Sequence, residues 1–64
     1  MNLKKMRGDK TQQDVAKKLS ITTSHYGFIE NGTRTPSLKL AKKISDLYGK
    51  SINEIFFENE YNKT

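Results

Sequence analysis

Only Ser20, Ile21 and the capping residue Thr22 separate two stretches of helical periodicity, and this short break constrains the fold more than any other feature of the chain. Val15, Ala16 and Leu19 fall at i, i+1 and i+4, the stripe of a helix running from about Gln12 to Leu19. Tyr26 and Ile29 mark a second helix, about Thr23 to Asn31. Helices joined so briefly cannot lie comfortably antiparallel and must cross steeply. Ala16 is small enough to let them approach, Ile21 can plug the turn, and Ile29 can hold the later helix down. The crossing leaves one face of that helix protruding.

The remaining segments are also helical, and no stretch alternates as a strand would. A first helix is expected over about Met1 to Arg7, with Leu3 and Met6 inward and Gly8 ending it. Thr11 and Asp14 form a capping-box pattern ahead of the second helix, and Thr22 can cap the third. Asn31-Gly32 ends the third helix, and a loop with the only Pro, Pro36, follows. Either Thr35 or Ser37 caps a fourth helix reaching about Tyr48, with Leu38, Ala41, Ile44, Leu47 and Tyr48 as its stripe and Gly49 as its stop. Ser51 to Glu54 is a second capping box, opening a short fifth helix with Ile52, Ile55 and Phe56. The expectation is an all-α, compact five-helix domain over residues 1–58, with residues 59–64 as a frayed tail. Its core is expected to comprise Leu3, Met6, Val15, Ala16, Leu19, Ile21, Ile29, Leu38, Ala41, Ile44, Tyr48, Ile52, Ile55 and Phe56. Tyr26 is expected in the core with its hydroxyl at the surface.

Composition narrows the function. With 64 residues, no Cys and one His, the chain offers no disulfide and no metal cluster, and no cofactor is implied. No apolar run approaches the ~20 residues of a membrane span, and the N-terminus lacks the apolar stretch of a secretory signal, so a cytoplasmic protein without a membrane partner is expected. No nucleophile–base pair or Gly-rich phosphate loop argues for an enzyme. Residues 1–50 hold eleven Lys/Arg against four acidic residues, whereas residues 51–64 hold one against three. A basic body with an acidic end fits a polyanionic partner, although Lys-rich surfaces also serve solubility.

Thr11-Gln12-Gln13-Asp14-Val15-Ala16-Lys17-Lys18-Leu19-Ser20-Ile21, then Ile29-Glu30-Asn31-Gly32, then Pro36-Ser37-Leu38, and finally Gly49 to Phe56 together resemble the phage Cro/repressor-type helix-turn-helix family, also called the xenobiotic-response-element type. The resemblance spans about residues 3 to 57. It implies a lambda-repressor-like fold, with the helix-turn-helix at the second and third helices, and a transcriptional regulator, usually a repressor, that binds double-stranded DNA at a palindromic operator.

Position by position, the resemblance implies base contacts from Thr23, Ser24, Gly27 and Phe28. It implies phosphate contacts from Gln12, Thr22, Asn31, Arg34, Lys39, Arg7 and Lys10. Gln12 sits where a helix N-terminus favours anions; the alternative role is an exposed helix former. Glu30 would repel phosphate if exposed, and the resemblance implies that it points back into the domain and pairs there. Thr23 and Phe28 stand where many members carry Arg, Gln or Lys. Thr and Ser hydroxyls discriminate poorly between bases, and Phe28 can make only apolar contact, as with a thymine methyl. Gly27 costs a helix about 0.8–1 kcal/mol relative to Ala; it either admits a close backbone approach or marks a weak reader. His25 could reach DNA or simply be solvated. The loop between the first two helices is two residues shorter than usual in the family.

One short helix reads few base pairs, so a homodimer is expected, its interface around the fifth helix at Ile52, Phe57 and Tyr61. If Phe56 enters the core, the adjacent Phe57 faces outward; the alternative is that Phe57 folds back to cover Leu3 or Leu47. The alternative function is a protein-interaction module of the same fold, partnered by a toxin, an antirepressor or another regulator.

Overall fold

The computed structural model describes residues 3–57 and contains five α-helices in the order expected. They are α1 (Leu3–Arg7), α2 (Gln12–Leu19), α3 (Thr23–Glu30), α4 (Leu38–Tyr48) and α5 (Ile52–Phe56). The tail and Tyr61 lie outside the described residues.

Helices of this length are marginal by themselves and depend on their ends and on packing. Thr11 closes a capping box: its hydroxyl accepts from the Asp14 N–H at 3.0 Å, and the Asp14 carboxylate accepts from the Thr11 N–H at 3.3 Å. Ser51 and Glu54 repeat the arrangement ahead of α5, with both bonds at 3.1 Å. Thr22 caps α3, and Ser37 rather than Thr35 caps α4. Asn31, expected as the last helical residue of α3, is its C-cap.

The break between α2 and α3 is built on a left-handed serine. Ser20 has φ 61° and ψ 39°. Its N–H donates to the Lys17 carbonyl at 3.1 Å, and the Ile21 N–H donates to the Ala16 carbonyl at 3.0 Å. This pair of bonds is a Schellman closure, which occupies the last carbonyls of α2 and turns the chain within one residue. α2 then packs across α3 and also touches α4, and α4 packs on α5.

Leu3, Val15, Ala16, Leu19, Tyr26, Ile29, Leu40, Ala41, Ile44 and Ile55 form the buried core. Met6, Ile21, Leu47, Tyr48 and Phe56 pack against it while partly exposed. Three expectations are corrected, for Leu38, Tyr26 and Ile52. Leu38 is 78% exposed, and Leu40 takes the inward position instead. The stripe of α4 is Leu40, Ala41, Ile44, Leu47 and Tyr48, and at 3.6 residues per turn Leu38 lies roughly 120° from the middle of that arc. Tyr26 is fully buried, hydroxyl included, because Tyr48 reaches it: the two hydroxyl oxygens are 2.8 Å apart. Burial raises the pKa of both phenols, and the bond to Tyr48 raises Tyr26 further.

Ile52 is half-buried and does not join the core. It lines an apolar groove of about 400 Å³ with Pro36, Leu38, Ala41, Phe56 and Phe57. Phe57 is 46% exposed on its wall.

Ile44→Ala should destabilise the domain by about 2–5 kcal/mol, a large part of what so small a fold possesses. Leu38→Ala should change stability by less than about 0.5 kcal/mol in chemical denaturation at dilutions that keep the chain monomeric. A comparable loss in the two variants would contradict the observed phase of α4.

Candidate nucleic-acid interface

A shallow concavity of about 320 Å³ lies between the start of α2 and the outer face of α3. Gln12, Thr23, Ser24, Gly27, Phe28 and Asn31 line it. Six of the residues singled out from sequence thus share one surface. The short turn produces this arrangement, setting the N-terminus of α2 beside the exposed flank of α3.

Beneath the concavity is a polar cluster centred on Glu30. The Arg7 guanidinium meets its carboxylate in a two-pronged pair, Nε to Oε2 at 2.8 Å and Nη2 to Oε1 at 3.0 Å. The Gln12 amide nitrogen donates to Glu30 Oε1, also at 3.0 Å. Only 5% of the Glu30 side chain and 16% of the Arg7 side chain remain exposed. The hydrogen bonds from Arg7 hold the Glu30 carboxyl below the usual glutamate range; burial opposes this, and Gln12 adds to it. The same pairing raises the Arg7 guanidinium pKa. Glu30 therefore presents little negative charge to the outer face of α3, in keeping with the inward pairing expected of it.

Gly27 has a structural reason. A Cβ added there would stand 3.3 Å from Gln12 Oε1. The bare backbone leaves room for the Gln12 amide to lie over α3 and reach Glu30.

The other candidates occupy different places. Arg7 was expected at a phosphate, but its Nη1 donates to the Lys10 carbonyl at 2.7 Å and its other nitrogens bind Glu30, so its fork is turned into the domain. Lys10 sits with Asp14, Lys17 and Lys18 on a separate patch. Thr22 caps α3 from the edge of the concavity, its oxygen accepting from the His25 N–H at 3.0 Å. Lys39 shares a second depression with His25, Ser37 and Lys43. Asn31 uses its carboxamide oxygen to hold Thr33, accepting from its N–H at 2.9 Å and its hydroxyl at 2.6 Å. Arg34 lies over Phe28, its guanidinium carbon 5.9 Å from the ring centre. Neither the Gln12–Glu30–Arg7 cluster nor the Arg34–Phe28 stack is visible in sequence spacing, since each joins residues from different elements. Among the described residues no group of acidic, His or Cys side chains could hold a metal, and no helix is long and apolar enough to cross a membrane.

A short turn between two packed helices, the second with an exposed flank, is the architecture of a helix-turn-helix DNA-binding protein. The chain matches the helix-turn-helix family over residues 3–55 and belongs to it, in the Cro/repressor-type branch. It is similar to the uncharacterized HTH-type transcriptional regulator YqaF of Bacillus subtilis (strain 168), with 47% identity over 64 residues, covering 97% of this chain and 83% of the relative. It is also similar to control protein C.MunI of Mycoplasma sp, with 38% identity over 61 residues, covering 91% and 82%. A third relative is the plasmid copy control protein CopR of Streptococcus agalactiae, with 32% identity over 59 residues, covering 92% and 64%. No solved structure matches the chain.

Because the folded chain keeps Glu30 ionised to lower pH than the unfolded chain does, the pair contributes stability above the ordinary glutamate value of 4.5 and loses it as pH falls through the lower folded value. Wild type should therefore be more stable than Glu30→Gln at neutral pH, with the gap closing on acidification. Thermal melts at neutral pH and at about pH 3 check this; a gap of constant size would remove the ion pair as its source.

Proposed function

We propose that this chain is a sequence-specific transcriptional repressor that reads the major groove of double-stranded DNA with α3 and acts as a two-fold dimer. The observation that carries the reading is the single surface formed by Gln12, Thr23, Ser24, Gly27, Phe28 and Asn31. A major groove about 12 Å wide admits a helix presented in this way. The formal charge of +5, concentrated before residue 51, favours a polyanion.

Thr23, Ser24 and Phe28 face base edges, while Gln12, Thr22, Asn31 and Lys39 contact phosphates. Gln12 suits this task well. One amide N–H is held by Glu30, which fixes the carboxamide plane and leaves the second N–H to meet a phosphate oxygen. Arg7 and Glu30 act behind it as supports. Occupying a promoter is the means by which such a domain represses, and the names of the relatives C.MunI and CopR, both control proteins, accord with such a role.

The dimer follows from an energetic argument. A single α3 gains too little base-specific energy to find one site in a genome, whereas two copies on half-sites ~34 Å apart double the contacts. The apolar groove with Leu38, Ile52 and Phe57 on its walls is the surface for the second copy. One of its walls is α5, which carries the acidic Glu54 and is unsuited to DNA.

Affinity should fall steeply with salt, with a log–log slope near −0.9 for each of about three to five phosphates per subunit. Gln12→Ala should weaken binding to all sequences alike, whereas changes at Thr23 or Ser24 should alter sequence preference. Titrations of operator and random duplexes across salt concentrations test both, and salt-independent binding would favour the protein-interaction reading.

Phe57→Ala should weaken self-association and cooperative binding to a palindrome. Sedimentation of both forms, free and on DNA, measures it; unchanged pairing would remove Phe57 from the interface.

A further inference from the structure

The chain has two arginines, and they are held differently. Arg7 is turned inward on Glu30. Arg34 is exposed, pairs with no carboxylate among the described residues, and lies over the Phe28 ring at 5.9 Å. The loop that carries it is anchored. The Arg34 N–H donates to the Phe28 carbonyl at 3.0 Å, and Asn31 fixes Thr33 through two bonds. Phe28 itself is 43% exposed and lines the reading concavity.

Stacking uses the face of a guanidinium, whereas its hydrogen bonds leave from the edge. An arginine resting on an aromatic ring is thus attracted and oriented while its donor fork stays free. Arg34 stands beside the concavity, at the border of the apolar groove, and the lining itself has no comparable fork: Thr23 and Ser24 offer single hydroxyls, Gly27 offers nothing, and Gln12 and Asn31 each have one end of the carboxamide tied, to Glu30 and to Thr33. A planar pair of donors matches the O6 and N7 acceptors of guanine in the major groove.

Resting on the DNA-reading function above, we infer that Phe28 and Arg34 form one reading unit. The ring holds the guanidinium, and the guanidinium selects a guanine at the edge of each half-site. Arg34 is then a specificity-determining residue, not only the phosphate contact that the family resemblance implies, and Phe28 is its positioning residue.

Selection of bound duplexes from a random pool tests this, using wild type, Arg34→Lys, Arg34→Ala and Phe28→Leu. Both altered positions are exposed, and circular dichroism checks that each variant folds. Wild type should show one guanine per half-site, preferred roughly 5- to 150-fold over other bases. That preference should collapse in Arg34→Lys, which keeps the charge but loses the fork, and in Arg34→Ala. It should weaken at the same position in Phe28→Leu, with the other positions unchanged. If Arg34→Lys keeps the wild-type motif, and Arg34→Ala weakens all sequences equally while the salt slope drops by about 0.9, Arg34 is a phosphate contact and the inference fails. A Phe28→Leu effect confined to a thymine position would also overturn the coupling. If wild type enriches no sequence at all, the DNA-reading function falls first.

Discussion

The carboxylate of Glu30 is the point on which the functional surface depends. It joins the last residue of α1, the first of α2 and the last of α3 through three hydrogen bonds. Taking an ion pair out of water is costly, and the cost is offset only when the geometry satisfies the remaining donors and acceptors. Here both carboxylate oxygens are engaged, and the third arm of Arg7 closes on the Lys10 carbonyl. The main consequence is alignment. The position of Gln12 over α3, and the orientation of its amide, follow from where Glu30 is held.

Alignment of this kind needs a rigid base, which a small chain can supply only through consistency between levels. The capping boxes at Thr11 and Ser51 define where α2 and α5 begin. Left-handed Gly8 and Gly49 define where α1 and α4 stop. Between those limits each helix contributes at least one fully or nearly fully buried apolar residue to a shared core. The tyrosine pair extends the same logic to polar atoms, since Tyr26 can be buried completely only because Tyr48 meets its hydroxyl.

Much of this was legible in the sequence, because caps, glycine stops and helical stripes are local signals. The phase of α4 was not. Leu38, Leu40 and Ala41 are all apolar and close together, and choosing among them requires knowing the direction of α2. The Tyr26 hydroxyl was misplaced for a similar reason, its partner lying 22 positions away. At the site, the family register located the lining of the concavity, and the inward turn of Glu30 was anticipated. Its partner was not. Arg7 precedes a shortened loop and is separated from Glu30 by 23 positions, so nothing local distinguished an ion pair from a phosphate contact. Gly27 was visible as a cost to its helix, whereas its benefit lies on another helix, in the space that Gln12 occupies.

Ser20 adopts a left-handed conformation that glycine would enter with less strain. The turn between α2 and α3 is thus imposed by its surroundings, by the closure onto Ala16 and Lys17 and the seating of Ile21, more than by the residue's own preference. An isolated segment spanning Gln12 to Glu30 would not hold the crossing angle for long. The concave face of α3 is therefore not a preformed part carried by the domain: it comes into being with the folded core and is lost with it, so under the proposed function a chain that has begun to unfold has already released its DNA.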